Sequence, residues 1–206
     1  MNRAAMPRPA VRCLAACLLV AALSSCSRGA ADHAQAPLAG AAIGGPFTLV
    51  SADGKTVRWS DFAGRYRIVY FGYTYCPDAC PLDVQRLMQG FALFKQAHPD
   101  LAGQVQPMFV SIDPARDTPA KVGEFARAFS PDLMGLTGTP AQVDAAARAF
   151  KVYYRKVPGA RPDQYLMDHS RTAYLMGRKG EPIALLPIDA ADQGKAVAAE
   201  LGKWVS

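Results

Sequence analysis

Two thiols four residues apart, Cys76 and Cys80, lie within Phe71-Gly72-Tyr73-Thr74-Tyr75-Cys76-Pro77-Asp78-Ala79-Cys80-Pro81. If the first turn of a helix includes both, they share one face with Cβ atoms roughly 5–6 Å apart. One metal ion can bridge thiols at that spacing, and a small shift brings them within reach of a disulfide. An apolar strand precedes them and an amphipathic helix follows, so the sulfurs stand at a helix N-terminus, where the dipole favours thiolate. Thiolate is both the nucleophile of disulfide exchange and the metal-binding form. The pair is therefore expected to titrate below the free-cysteine value of about 8.5.

A further soft-metal donor, His169, follows Cys80 by 89 residues in Tyr165-Leu166-Met167-Asp168-His169-Ser170. Spacing alone leaves it open between a ligand and a satisfied histidine at a strand start. Asp78, between the cysteines, opposes thiolate formation and also favours a nearby cation. Asp113 and Asp117 read first as turn or cap residues around Arg116, with a role flanking the crevice or docking a partner as the alternative. Asp168 is a candidate acceptor for the His169 ring, although adjacent side chains diverge. Met167 reads as core rather than as an extra ligand. Lys151, Arg155, Lys156 and Arg161 read as solvated surface, with a patch for an anionic partner as the alternative.

The elements that must position these residues follow from hydrophobic patterning. Residues 47–50 and 56–59 form a hairpin around Asp53-Gly54, and a short helical turn near Ser60 follows. Residues 67–72 are a nearly continuous apolar run, as in a central buried strand. Pro81 suits the first position of a helix whose Val84, Leu87, Met88, Phe91 and Phe94 recur at helical spacing up to His98-Pro99. His98 lies at the far end of that helix, roughly 25 Å from the thiols. A strand at 107–112 leads to Asp113, and Thr118-Pro119 opens a helix to about Phe129. A short strand at 133–137 is followed by Thr139-Pro140, which opens a second helix ending near Val152. Residues 165–170 return the chain to the core. Strands at 172–176 and 183–186 flank the turn at Gly177-Arg178-Lys179-Gly180, and a helix from Asp192 closes the chain. The fold class is α/β, a mixed sheet with helices on both faces and an N-terminal β-hairpin. In such sheets the crevice lies at the carboxyl ends of the parallel strands, where the cysteine loop and the Asp113 loop both leave.

The 206 residues carry 23 Lys and Arg against 17 Asp and Glu. Arg3, Arg8 and Arg12 fall in a leader, and without them the balance is 20 to 17, too even for nucleic acid binding. The leader has a basic start and an apolar run at 13–23, too short to span a bilayer at about 20 residues but suited to secretion. Leu23-Ser24-Ser25-Cys26 looks like a bacterial lipobox with Cys26 as the lipidated residue; ordinary cleavage or an uncleaved anchor are the alternatives. The expected organisation is a signal peptide at 1–25, a flexible Ala/Gly/Pro-rich tether at 26–43 and one folded domain at 44–206. The tether would place the domain at the extracytoplasmic face of a bacterial membrane. With Cys13, Cys17 and Cys26 near the N-terminus, the folded part holds only Cys76 and Cys80, which argues for chemistry rather than stapling.

The motifs Cys76-Pro77-Asp78-Ala79-Cys80-Pro81, Asp113-Pro114 with Arg116-Asp117-Thr118, and Asp168-His169-Ser170, in that order, closely resemble the Sco/SenC family from about Gly44 to the C-terminus. That resemblance implies a thioredoxin-like fold, copper ligands at Cys76, Cys80 and His169, a reversible Cys76–Cys80 disulfide, and copper supply to the dinuclear copper centre of cytochrome c oxidase. The partners implied are the oxidase subunit carrying that centre, and another periplasmic copper carrier or a thiol reductant. Two thiolates and one imidazole suit copper in either oxidation state, while the fourth protein ligand usual for structural zinc is missing. Two functions remain open: a copper metallochaperone dependent on all three donors, and a thiol–disulfide oxidoreductase needing only Cys76 and Cys80. A peroxidase built on Thr74 and Cys76 ranks last.

Overall fold

The computed structural model describes residues 35–161 and 164–206, together with Met1. The rest of the leader, and Cys26, lie outside the described residues. The packed unit spans Ala36–Ser206. Part of the stretch read as tether is docked on it: the Leu38 N–H donates to Ile183 O (3.0 Å), and Ala36 and Ile43 pack on the core, just before the Gly44 N–H donates to Ala149 O (2.9 Å). These few apolar side chains have no periodicity to reveal them.

A seven-stranded sheet runs in the order β2 (Thr56–Arg58), β1 (Thr48–Ser51), β5 (Met134–Thr137), β4 (Val105–Ser111), β3 (Tyr66–Gly72), β8 (Ala173–Met176), β9 (Pro182–Leu186). Strands β1 (Thr48–Ser51) and β2 (Thr56–Arg58) are the expected hairpin, and a 3₁₀ turn, Trp59–Phe62, leads into β3 (Tyr66–Gly72). All seven residues of β3 are buried, as its apolar run requires of a strand covered on both faces. It pairs in parallel with β4 (Val105–Ser111), which pairs in parallel with β5 (Met134–Thr137), and antiparallel with β8 (Ala173–Met176). The edge strand β9 (Pro182–Leu186) completes the second hairpin.

Helix α1 (Ala79–Ala97) joins β3 to β4, with the single turn α2 (Pro99–Ala102) after it; α3 (Pro119–Phe129) joins β4 to β5. Right-handed crossovers running the same way put α1 and α3 on one face. There α1 also packs against the last helix, α5 (Lys195–Trp204). Gly90 makes that contact close, since a Cβ there would sit 2.5 Å from Cβ of Val197. Helix α4 (Pro140–Ala149) runs back over the opposite face. Alternation along β3 separates the layers: Tyr70 stacks with Phe109 toward α3, while Phe71 meets Phe150 at the end of α4.

Two expectations shift. Helix α1 begins at Ala79, so Pro81 is its third residue; any first-turn position suits proline, because those N–H groups have no intrahelical partner. The segments on either side of the 158–164 loop form a separate two-stranded ribbon, β6 (Tyr154–Val157) with β7 (Leu166–His169), outside the main sheet. Half-exposed strands of four residues give too weak a period to be seen in sequence.

Candidate metal and thiol centre

The parallel strands deliver the cysteine loop and the Asp113 loop to the same pole of the sheet. Gly72 ends β3, and a Cβ on it would lie 3.2 Å from Cys80 Sγ and about as close to the rings of Tyr70 and Phe109. Glycine thus lets the sulfur rest against the strand end. Cys80, the second residue of α1, is fully buried, whereas Cys76 lies in the loop before the helix and is partly exposed. The Cys80 N–H donates to Cys76 Sγ (3.3 Å). A free N–H of the first helical turn therefore serves the sulfur directly.

The thiols titrate in opposite directions rather than together. Cys76 is held down to about 5, first by a hydrogen bond from the Cys80 thiol and then, against its partial burial, by the N–H groups of Cys80 and Asp78 and the Tyr73 hydroxyl. Cys80 is pushed up by that same bond and by burial. Two adjacent sulfurs accommodate one charge more easily than two, so one becomes the thiolate and the other its donor. Burial and the neighbouring sulfurs push the Tyr73 phenol up to about 12, so it stays a donor.

His169 ends β7, with Nε2 3.3 Å from Cys80 Sγ. Its Nδ1 is 2.9 Å from the carbonyl oxygen of Ser170. A carbonyl only accepts, so Nδ1 carries the hydrogen and Nε2 presents a lone pair to the Cys80 sulfur. The rings of Tyr70 and Tyr73 meet the imidazole edge-on, with centroids 6.4 and 6.0 Å away. A metal bonded at about 2.3 Å to sulfur and about 2.0 Å to nitrogen, at a roughly tetrahedral angle, holds those atoms about 3.5 Å apart. The Cys80–His169 separation fits such an ion. Among the described residues no three His, Cys, Asp or Glu side chains already converge on one point. A three-donor set on one ion would need these side chains to draw closer together.

The carboxylates take other places. Asp78 is exposed at the N-cap of α1 without a capping bond. Asp168 faces the other side of the ribbon from His169, as alternation demands, and accepts from Arg155 Nε (3.2 Å). Asp117 is buried and does not cap α3, which Thr118 does. It accepts from Thr74 N–H (3.0 Å), Thr74 Oγ1 (2.6 Å) and Ser111 Oγ (2.6 Å), tying the cysteine loop to β4. Burial raises its pKa despite these bonds. Asp113, also buried, accepts from Arg116 Nε (2.6 Å) and from the Tyr165 hydroxyl (2.7 Å). The Arg116 guanidinium lies over the rings of Tyr165 (3.5 Å) and Tyr75 (4.7 Å) and donates to Tyr165 O (3.0 Å). Asp113 thus links the ribbon to the cysteine loop through Arg116. Met167 packs on the core, and Lys156 sits over the Tyr165 ring.

Sequence reasoning missed Asp83, wholly buried on α1, where it accepts from Tyr70 and from Arg171. The signal was available: an acid at a position between Cys80 and Val84 that the helix turns inward. Tyr73 and Tyr165 were also missed, because aromatic residues in apolar company read as core.

A mixed sheet with helices on both faces, a paired-thiol loop at the head of a helix and an imidazole against it define a thioredoxin-like protein. Residues 35–206 match the SCO1/SenC family model, and the chain belongs to that family. It is 46% identical over 142 residues to protein SenC of Rhodobacter capsulatus, covering 68% of this chain and 62% of that protein. It is 43% identical over 143 residues to the mitochondrial SCO1 homolog 1 of Arabidopsis thaliana, covering 69% of this chain and 42% of that protein. The matches thus span less than two thirds of these curated relatives. The structure of Bradyrhizobium japonicum ScoI with copper bound superposes with a TM-score of 0.70 at 34% identity, covering 79% of this chain and 99% of that one.

Proposed function

We propose that the protein is a membrane-tethered copper carrier that holds one copper ion through Cys76, Cys80 and His169 and supplies it to the dinuclear copper centre of cytochrome c oxidase. The observation that carries this reading is the lone pair of His169 Nε2, fixed by the Nδ1 bond to Ser170, facing the Cys80 sulfur at 3.3 Å. Copper-bound solved relatives support the choice of ion. Thiolates select Cu(I), and the imidazole makes the set acceptable to Cu(II). The half-exposed Cys76 leaves one side of the centre open, so an acceptor's ligands would enter there and take the ion by exchange. Cys26 would carry the lipid that holds the domain at the extracytoplasmic face of a bacterial membrane. The acceptor would be the oxidase subunit carrying the dinuclear centre; a second periplasmic copper carrier would load the site or a thiol reductant would reduce it.

A second reading rests on the split thiols. Cys76 is a thiolate near neutral pH and accessible, while Cys80 is a buried thiol beside it. Cys76 would attack a partner disulfide, and Cys80 would displace the mixed disulfide, leaving the partner as two thiols and the pair oxidised.

Anaerobic titration of reduced protein with Cu(I) and Cu(II), comparing wild type with His169→Ala, separates the two. The carrier reading expects Cu(II) binding to vanish in the variant while Cu(I) remains. Unchanged Cu(II) binding together with full disulfide reductase activity would favour the second reading.

A further inference from the structure

We propose that the ion pair between buried Asp83 and half-exposed Arg171 is the positioning device that holds His169 against the cysteine loop; the copper arm of its test rests on the carrier reading. Asp83 follows Cys80 by three residues, about one helical turn below it, and Arg171 follows His169 by two. The same two segments are therefore joined twice, by the Cys80–His169 approach and by the ion pair. The pair is bidentate: Arg171 Nε donates to Asp83 Oδ2 (2.8 Å) and Nη2 to Oδ1 (2.5 Å). A wholly buried carboxylate persists only when paired and hydrogen-bonded, so Asp83 holds Arg171 strongly.

The position of Arg171 gives this strength a purpose. Strand β7 ends at His169 in the ribbon and β8 begins at Ala173 in the main sheet, so residues 170–172 join two separately bonded bodies. The clamp ties that joint to α1, whereas the Ser170 hydroxyl there accepts from the Tyr153 N–H (3.1 Å) beside the ribbon. The His169 ring's own polar contacts are with Cys80 and with the adjacent Ser170 carbonyl, which moves with the ring. Asp83 also accepts from the Tyr70 hydroxyl (2.9 Å), fixing the ring that meets the imidazole edge-on. One carboxylate thus steadies the histidine from two sides.

The test uses Arg171→Met, Arg171→Lys and the double variant Asp83→Asn/Arg171→Met, which removes the clamp without stranding a buried charge. In the copper-free reduced protein, amide hydrogen exchange at residues 166–170 should quicken at least about tenfold in Arg171→Met and the double variant, and less in Arg171→Lys, which keeps the charge but not the fork. In the copper-loaded protein, Cu(II) release should accelerate by about 10–100-fold, the usual effect of losing an outer partner, while Cu(I) retention changes little. Wild-type exchange and release rates in the double variant, with only a lower melting temperature, would overturn the clamp. His169→Ala is the control for the reading beneath it. If that variant keeps wild-type Cu(II) binding, the carrier reading fails, and the exchange arm still decides the clamp.

Discussion

Cys76 and Cys80 stand where a fully buried strand meets a 19-residue helix, whereas His169 stands at the end of a four-residue strand in a ribbon outside the main sheet. The cysteine side is made by backbone: β3 fixes where the loop begins, Gly72 allows the sulfur to approach, and the first turn of α1 supplies the N–H groups. The histidine side is made by side chains: Arg116 with Asp113 and Tyr165 at one end of β7, Arg171 with Asp83 at the other. Backbone positioning gives a site that persists without cargo. Side-chain positioning gives an imidazole that a few substitutions can loosen, as the proposed carrier, which must grip and then let go, would require.

Substitutions on the cysteine side should therefore do most. Cys80→Ser removes the sulfur that lies against the other two proposed donors, and should weaken Cu(I) and Cu(II) binding by more than the ~100-fold ascribed to outer partners. Competition with a chromogenic chelator reads this directly. Retained Cu(I) affinity would mean that the cysteine side is not the foundation of the site. Asp117→Ala should come next. It strands the Thr74 N–H and two hydroxyls, and should cost about 3 kcal/mol, or about 6–12 °C in melting temperature. A change of under 2 °C by calorimetry would show that the loop is held without it.

A pH series sharpens the comparison within the cysteine side. Alkylation of Cys76 in reduced, copper-free protein should be half-maximal near pH 5, while Cys80 stays unreactive well above neutrality. Because the folded-state value of Cys76 lies below its unfolded one, its thiolate contributes stability that is fully present above about 8.5–9 and is lost as pH falls toward 5. A single midpoint near 8.5 for both thiols would contradict the division of roles. The smallest effect is expected at the remote end of β7. Tyr165→Phe removes one hydroxyl from Asp113 and should lower the melting temperature by about 2–6 °C without changing Cu(I) affinity. A loss of Cu(I) affinity there would show that the ribbon reaches further into the site than the histidine alone.

The same contrast explains what was legible in the sequence. The apolar run of β3, the helical spacing from Val84 to Phe94 and the Thr-Pro caps at 118 and 139 are local patterns, and each element appears where they place it. The cysteine pair could be read because its spacing carries its chemistry. For His169 the residues alone left two choices, and only the resemblance among three separated motifs favoured one. The Asp117–Thr74 bond and the Asp83–Arg171 pair join residues 43 and 88 apart. No local periodicity encodes such contacts. Sequence therefore offers turn and cap chemistry first for Asp113 and Asp117; the structure keeps the Asp113–Arg116 pair and adds that Asp113 braces the ribbon and Asp117 the loop.

The measurement that bears most directly on the joining of the two sides is electron paramagnetic resonance of Cu(II)-loaded protein carrying ¹⁵N in its histidine rings. Nitrogen coupling from one imidazole that changes with the isotope, and that disappears in His169→Ala together with the sulfur-to-copper charge-transfer absorption, is the result predicted. A spectrum indifferent both to the isotope and to the loss of His169 would contradict it.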